Sequence, residues 1–161
     1  MQTVEIGNQP VADESLVFVY GSLMQGFGNH RCLGDAEFVG ATTLSDGGQY
    51  NRRCFRMVSL GAFPGIVDAE PSEATTISGE VYRASRTVMA DLDLLEGVSS
   101  GFYQRRVVRL DNGMSAYVYV LARTNPGEQA VPGGNWATYC EEQAYRRRTW
   151  EQDLQRWGVT K

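Results

Sequence analysis

Residues 16–23 of the chain read Leu16-Val17-Phe18-Val19-Tyr20-Gly21-Ser22-Leu23. The first five are aliphatic, β-branched or aromatic, and this apolar run stops at a glycine. That pattern is typical of a strand buried on both faces and followed by a loop. Such a loop exposes successive backbone N–H groups, which can bind an anion such as a carboxylate. The alternative is that Gly21-Ser22 forms a simple turn, which is the commoner role of such a pair.

Outward from this strand, short strand patterns surround a single helical pattern. Further strands are predicted at residues 37–43, 55–60, 65–68, 77–83, 107–110 and 114–121, the last two joined by the hairpin signal Asp111-Asn112-Gly113. Residues 85–96 carry apolar side chains at helical spacing and are followed by Gly97, which favours the end of a helix. Residues 30–33 predict a short helical turn, residues 126–135 a loop, and residues 136–157 one or two helices with Asn135 as N-cap.

Strands before, around and after one central helix predict an α+β fold, in which a small mixed or antiparallel sheet curls toward a barrel with peripheral helices. A length of 161 residues suits one domain. Residues 1–15 are polar and mildly acidic, and we expect a flexible N-terminal extension there. The barrel domain is expected to span residues 16–125, and residues 126–161 to form a C-terminal loop and helix packed on the same domain.

Composition excludes several classes of protein. The net charge of −4 disfavours a nucleic-acid scaffold, so a small molecule is the better partner. No apolar stretch approaches the ~20 residues of a membrane-spanning helix. The first residues lack the basic start and apolar core of a secretory signal, so we expect a cytoplasmic protein. The Arg146-Arg147-Arg148 run lies among acidic residues, with Glu142 one turn from Arg146, and is interpreted as a solvated helix face.

Cysteine and histidine usage argues against a metal site. Cys32, Cys54 and Cys140 are odd in number and far apart, which fits free thiols in a reducing compartment. No pair has metal-binding spacing, and His30 is the only histidine. We therefore predict no metal and no disulfide. Ser22, His30 and Asp35 could be imagined as a catalytic triad, but their spacing carries no specificity, and a local hydrogen-bonding role for His30 is preferred.

Glu96 is the sharpest catalytic candidate. With about 100° of rotation per residue, its side chain projects between Met89 and Leu92 on the apolar face of the predicted helix. Asp91 and Asp93 fall nearer the flanks or the far side, where they can reach water. A carboxyl group turned inward needs a partner or acquires a raised pKa that suits acid–base catalysis. The alternative is that Glu96 bends out to solvent or pairs with Arg105 or Arg106.

Several short motifs, taken in order, resemble those of the gamma-glutamylcyclotransferase superfamily. They are Phe18-Val19-Tyr20-Gly21-Ser22-Leu23 with Gly26 and Asn29-His30, Phe63-Pro64-Gly65-Ile66-Val67, Gly79-Glu80-Val81-Tyr82, Leu92-Asp93-Leu94-Leu95-Glu96-Gly97, Phe102-Tyr103-Gln104-Arg105-Arg106-Val107, Ala116-Tyr117-Val118-Tyr119-Val120 and Gly134-Asn135-Trp136. The stretch at residues 26–30 is most similar to the branch that contains gamma-glutamylamine cyclotransferase and plant avirulence-induced proteins. Met24-Gln25, the acidic N-terminus and the arginine-rich C-terminal helix depart from that branch, and they bear on the substrate side chain more than on the chemistry.

The resemblance implies a small mixed β-barrel with its active site at the barrel mouth. It implies that Tyr20, Gly21, Ser22 and Leu23 bind the α-amino and α-carboxylate end of a γ-glutamyl group, that Glu96 is the general acid and base, and that Tyr103 lines the site. The implied reaction releases 5-oxoproline and an amine or amino acid and requires no cofactor. The alternative is a non-catalytic protein of the same fold that binds a small molecule or peptide. The sequence leaves the leaving amine and the oligomeric state open.

Overall fold

The computed structural model describes residues 13–46, 50–51 and 54–158. Its strands are β1 Glu14–Val19, β2 Glu37–Leu44, β3 Cys54–Ser59, β4 Pro64–Ala69, β5 Ile77–Ser85, β6 Tyr103–Arg109, β7 Ser115–Leu121 and β8 Gln129–Val131. Its helices are α1 Arg86–Leu95 and α2 Trp136–Arg156, with short 3-10 turns at His30–Leu33 and Pro71–Glu73.

The strands form two sheets. The larger has the order β2-β5-β1-β7-β6 and is mixed, because β1 and β7 run parallel while its other pairs are antiparallel. The smaller is antiparallel, with the order β4-β3-β8. The α+β class is thus confirmed. The predicted barrel holds only loosely, because the two sheets share no strand pairing within the described ranges.

A tyrosine hydroxyl crosses the gap between the sheets. The hydroxyl of Tyr20 donates to the carbonyl of Tyr119 on β7 at 2.7 Å and accepts from the N–H of Ile66 on β4 at 3.2 Å. The sheets approach closely here: a Cβ on Gly65 would lie 2.2 Å from a methyl carbon of Leu121. The phenol therefore satisfies two backbone groups that a closed barrel would pair directly.

Helix α1 forms where the periodicity predicted it. The Ser85 hydroxyl accepts a hydrogen bond from the N–H of Val88 and caps the first turn. Val88, Met89 and Leu92 are buried against the larger sheet and its neighbours. Gly97, with φ of 64°, follows the last turn, so the chain leaves α1 in a left-handed conformation that glycine adopts without strain.

Three boundaries differ from the sequence predictions. β1 begins at Glu14, and the carbonyl of Asp13 accepts from the N–H of Arg86, so residues 13–15 join the fold; residues 1–12 lie outside the described residues. β8 lies within the predicted loop 126–135, where three residues are too short to show a period. β6 begins at Tyr103, four residues before the predicted strand. The buried positions at its start are filled by Tyr103 and Arg105, whose polar groups hide the strand pattern.

Helix α2 is continuous from Trp136, and Asn135 caps it by accepting from the N–H of Thr138 at 3.0 Å, as predicted. Trp136 is its only buried residue. Tyr139 and Cys140 still touch the core, but no later residue of the helix is buried. Of the described residues after 125, β8 pairs with β3 and the start of α2 contacts the core, whereas the later residues of α2 are not buried. None of the described helices combines the length and apolar character that crossing a membrane requires.

Candidate active site

A cavity opens where β1 passes into its following loop. Its lining comes from five separate parts of the chain: Phe18, Val19, Tyr20, Gly21, Ser22, Leu23, Phe63, Pro64, Glu96, Tyr103 and Tyr119. The structure thus brings together all six residues that the sequence singled out, although nearly eighty positions separate the loop from Glu96. Glu96 is the only ionisable carboxyl among these lining residues.

Glu96 lies immediately after the last residue of α1 and is half-buried. Its backbone N–H donates to the carbonyl of Leu92 at 2.9 Å, which holds the residue at the end of the helix and turns it toward the cavity. Burial raises the pKa of its carboxyl to about 7. The carboxyl can therefore exchange a proton near neutral pH.

The two arginines that offered an alternative partner for Glu96 make their ion pairs elsewhere. Arg105 pairs with Asp93, and Arg106 forms a two-pronged pair with Asp68 at 2.8 and 2.9 Å. No ion pair joins Glu96 to either arginine in the described part of the chain, and its half-buried side chain lines the cavity.

Three tyrosines surround Glu96. Tyr103 donates its hydroxyl hydrogen to the carbonyl of Pro64 at 2.7 Å, and Tyr119 donates to a carboxylate oxygen of Asp93 at 2.8 Å. Burial holds the pKa of Tyr103 and of Tyr119 well above the usual range; the negative charge of Glu96 adds to it at Tyr103, and the charge and hydrogen bond of Asp93, followed by the charge of Glu96, add to it at Tyr119. The pKa of Tyr20 is raised by burial, by Tyr103 and by Glu96. All three phenols stay neutral, and their protons are committed to protein acceptors.

The loop at residues 21–23 uses its carbonyls in local hydrogen bonds. The carbonyl of Gly21 accepts from the N–H of Met24 at 3.0 Å, and that of Ser22 from the N–H of Asn29 at 3.1 Å. In a trans peptide the C=O of one residue and the N–H of the next point in opposite directions. The N–H groups of Ser22 and Leu23 therefore point away from these two hydrogen bonds.

Gly21 is required by close approach. A Cβ at this position would lie 2.5 Å from Cγ of Pro64, which also lines the cavity. Gly21 is not among the glycines with positive φ, so the left-handed backbone that a glycine in such a loop would permit is not adopted. The loop thus lies directly against the start of β4.

Sequence reasoning missed Asp93. It was placed where its side chain reaches water, yet it accepts from both the Tyr119 hydroxyl and the guanidinium of Arg105, whose side chain is only 2% exposed. The signal was present in β6: Tyr103 and Arg105 are two positions apart and share one face of the strand. An arginine on the inward face requires a carboxylate partner, and α1 supplies it.

The Ser22, His30 and Asp35 triad does not assemble. The Ser22 hydroxyl accepts from the side-chain amide of Asn29 at 3.0 Å, and Nδ1 of His30 lies 2.9 Å from the carbonyl of Leu23. His30 therefore stabilises the loop at residues 21–23 through the carbonyl of Leu23. Cys32, Cys54 and Cys140 are free thiols. Across residues 13–46, 50–51 and 54–158, no cluster of histidine, cysteine and carboxylate side chains could hold a metal ion.

Comparison with known proteins agrees with this geometry. Residues 17–138 match the model of the gamma-glutamyl cyclotransferase, AIG2-like family. The chain is 32% identical over 120 residues to the gamma-glutamylcyclotransferase family protein YtfP of Escherichia coli strain K12, covering 74% of this chain and 94% of that protein. The solution NMR structure of ytfP from Escherichia coli superposes with a TM-score of 0.55, covering 75% of this chain and 95% of that one.

A crystal structure of an AIG2-like protein from Mus musculus superposes with a TM-score of 0.59 at 22% identity, covering 71% of this chain and 82% of that chain. At this identity the likeness shows the fold alone. The family match ends at residue 138, before most of α2, so it concerns the sheets, α1 and the cavity.

Proposed function

This chain belongs to the gamma-glutamyl cyclotransferase, AIG2-like family, and we propose that it releases 5-oxoproline and a free amine or amino acid from a γ-glutamyl substrate. The α-amino nitrogen of the substrate attacks its own γ-carbonyl carbon in this reaction. The observation that carries the proposal is the half-buried Glu96 carboxyl, with a pKa of about 7, in a cavity otherwise lined by neutral groups.

Glu96 serves as base and then as acid. Its carboxylate takes a proton from the α-ammonium group, which frees the nitrogen lone pair for attack on the γ-carbonyl. A C–N bond forms and gives a five-membered tetrahedral intermediate whose ring nitrogen carries a positive charge. Glu96 returns the first proton to the departing nitrogen as its bond to carbon breaks, and then takes a second proton from the ring nitrogen, which becomes the neutral amide of 5-oxoproline. The departing amine accepts this second proton and leaves as an ammonium ion. The proton balance closes without water or a cofactor. A pKa near the working pH allows one group to perform both transfers.

The loop at residues 21–23 binds the α-carboxylate in this proposal. Ser22 and Leu23 line the cavity, their N–H groups point away from the carbonyl hydrogen bonds of the loop, and no lysine or arginine is among the lining residues. Backbone donors that are already fixed by hydrogen bonds can hold a carboxylate without the entropy cost of ordering a long side chain. Holding this end of the substrate favours the folded conformer in which the nitrogen faces the γ-carbonyl.

Tyr20 and Tyr103 shape the site through their rings. Because both hydroxyl hydrogens are donated to backbone carbonyls, the two side chains are held in one orientation and offer aromatic surface to the substrate chain. Phe63 and Phe102 extend this aromatic wall, since their rings lie 6.1 Å apart and Phe102 meets Tyr103 at 5.0 Å. We place the departing amine along this wall.

The proposal is tested by incubating the protein with a panel of γ-glutamyl compounds and measuring 5-oxoproline by mass spectrometry. The panel contains γ-glutamyl amino acids, γ-glutamyl alkylamines and an ε-(γ-glutamyl) lysine. We expect catalytic release from at least one class. Tight binding of panel members without any 5-oxoproline would instead favour the non-catalytic binding protein.

A further inference from the structure

Asn29 is not a lining residue of the cavity, but its side chain contacts one that is. It immediately precedes the 3-10 turn His30–Leu33, a position from which an asparagine side chain usually accepts a hydrogen bond from a backbone N–H of the first turn. Here the side chain makes no such cap. Its Nδ2 donates instead to the hydroxyl oxygen of Ser22 at 3.0 Å. The amide therefore serves the loop at residues 21–23 and not the turn that follows Asn29.

Asn29 holds Ser22 at two points. Besides the side-chain contact, the backbone N–H of Asn29 donates to the carbonyl of Ser22 at 3.1 Å. The first bond depends on the asparagine side chain, whereas the second is made by the backbone and is retained when only the side chain changes. A separate contact, with Nδ1 of His30 2.9 Å from the carbonyl of Leu23, also holds the loop. Removing the amide should therefore free the Ser22 hydroxyl without releasing the loop.

The side-chain contact limits the direction in which the Ser22 hydroxyl can donate. A serine hydroxyl has one hydrogen and two lone pairs, and an amide nitrogen can only donate. Nδ2 of Asn29 therefore occupies a lone pair, and the hydroxyl hydrogen points elsewhere. Among residues 13–46, 50–51 and 54–158, no protein acceptor takes this hydrogen. The three phenols of the cavity donate to protein acceptors, so Ser22 is the lining hydroxyl whose hydrogen is left for a ligand.

We propose that Asn29 is a positioning residue for substrate binding: by holding the Ser22 oxygen, it directs the hydroxyl hydrogen of Ser22 to the α-carboxylate of the γ-glutamyl group. This role rests on the proposed function, because that function supplies the carboxylate. No lysine or arginine lines the cavity, so neutral donors must bind this anion. An amide that donates to the serine oxygen also polarises the O–H bond, which makes the hydroxyl a stronger donor.

A double-mutant cycle on Ser22 and Asn29 tests this role. The readout is the dissociation constant of 5-oxoproline, which retains the α-carboxylate, measured by calorimetry. Ser22→Ala removes the donor and should raise this constant by about tenfold. Asn29→Ala keeps the donor but lets it rotate, and should raise the constant by about fivefold. Because Asn29 acts through Ser22, Asn29→Ala should add nothing in the Ser22→Ala background. Additive effects would overturn the proposal.

Asn29→Asp reverses the polarity of the contact with little change of shape. A carboxylate can only accept, so it should take the Ser22 hydrogen away from the ligand, and we expect the affinity for 5-oxoproline to fall by at least about tenfold. The new negative charge also repels the ligand carboxylate. The same substitution in the Ser22→Ala background measures that repulsion alone, and the loss should be smaller there. Equal losses in the two backgrounds would contradict a role exerted through Ser22.

Steady-state kinetics separate this role from a purely structural one. With a substrate from the panel, Asn29→Ala should raise KM by about fivefold and leave kcat within about twofold, because the carboxylate contact is the same in the bound substrate and in the transition state. A fall in kcat at unchanged KM would assign the Ser22 hydroxyl to the γ-carbonyl and overturn the proposal.

Asn125→Ala is the matched control. The Nδ2 of Asn125 also donates to an oxygen, the carbonyl of Arg123 at 3.0 Å, but neither residue lines the cavity. We expect its KM and its dissociation constant for 5-oxoproline to equal those of the wild type, with circular dichroism confirming that every variant is folded. An effect as large as that of Asn29→Ala would contradict the specific role of Asn29.

The calorimetric cycle does not require turnover, so the two proposals can fail separately. If the chain binds 5-oxoproline with the expected coupling but releases none from any panel member, the proposed reaction is wrong and the role of Asn29 in binding stands. If the chain turns over a panel substrate without coupling between Ser22 and Asn29, the reaction stands and the role of Asn29 is wrong. A wild-type chain that binds neither 5-oxoproline nor any panel member contradicts both.

Discussion

Glu96 shows how one residue can be placed by periodicity and tuned by its surroundings. The apolar spacing of Met89 and Leu92 is enough to predict that the side chain of Glu96 turns inward. The raised pKa has a cause that a helical projection lacks, namely the walls contributed by β1, β6 and β7. Asp93, three residues away, pairs with Arg105, whereas no arginine or lysine lines the cavity beside Glu96. The two neighbouring carboxyls thus differ in their surroundings, and burial without a cation raises the pKa of Glu96.

The pKa of Glu96 has a consequence for stability. A carboxyl whose pKa rises from 4.5 to about 7 on folding binds more protons in the folded than in the unfolded state between these values. The free energy of unfolding therefore falls as pH rises through this window. Glu96→Gln has no carboxyl that titrates in this window. We therefore expect the melting temperature of the variant, relative to that of the wild type, to rise between pH 4.5 and pH 7.5. A constant difference would show that Glu96 titrates normally.

Asp93 should stabilise the fold and also position the side chains of Arg105 and Tyr119. Asp93→Asn removes the carboxylate that pairs with the buried guanidinium of Arg105 and accepts from Tyr119. Breaking such a pair by removing one partner is costly, and we expect a loss of about 3 kcal/mol in urea unfolding. Asp91→Asn, on an exposed position of the same helix, is the control and should change stability little. Equal effects would contradict the role of the ion pair.

At the scale of elements, sequence patterns predict the helices and hairpins that have a regular spacing or a turn motif. They miss a strand that forms only by pairing with a neighbouring strand. α1 and the hairpin around Asn112 could be located because their spacing and turn residues are local signals. β8 could not, since three residues have no period and exist as a strand only by pairing with β3. The loop at residues 21–23 was located by composition, but its close contact with Pro64 required the structure.

That contact makes Gly21 a sharp test of the loop. Gly21→Val places a branched side chain where a Cβ already lies 2.5 Å from Pro64, so the loop must move away from β4. We expect binding of 5-oxoproline, measured by calorimetry, to weaken by at least about tenfold, because the backbone donors are displaced. Gly28→Val is the matched control, since nothing lies within 4 Å of its Cβ position. Unchanged affinity in a folded Gly21→Val variant would remove this loop from the site.

At the scale of the molecule, the cavity exists because the barrel is incomplete. The Tyr20 hydroxyl joins Tyr119 and Ile66 across the gap, and the Tyr103 hydroxyl reaches Pro64 beside it. The tyrosines could be recognised from the sequence as residues of the site. Their use as bridges between two sheets could not, because it depends on how far apart the strands lie. The cavity that Glu96 lines lies beside these tyrosines.

The most direct test of the account is the rate of 5-oxoproline release by Glu96→Gln under single-turnover conditions, with a substrate found in the panel. The amide keeps the shape of the side chain but cannot exchange the proton, so we expect the rate to fall by at least about a hundredfold. Substrate affinity and folding should be retained. A folded Glu96→Gln protein that releases 5-oxoproline at the wild-type rate would contradict the central claim that this carboxyl carries the reaction.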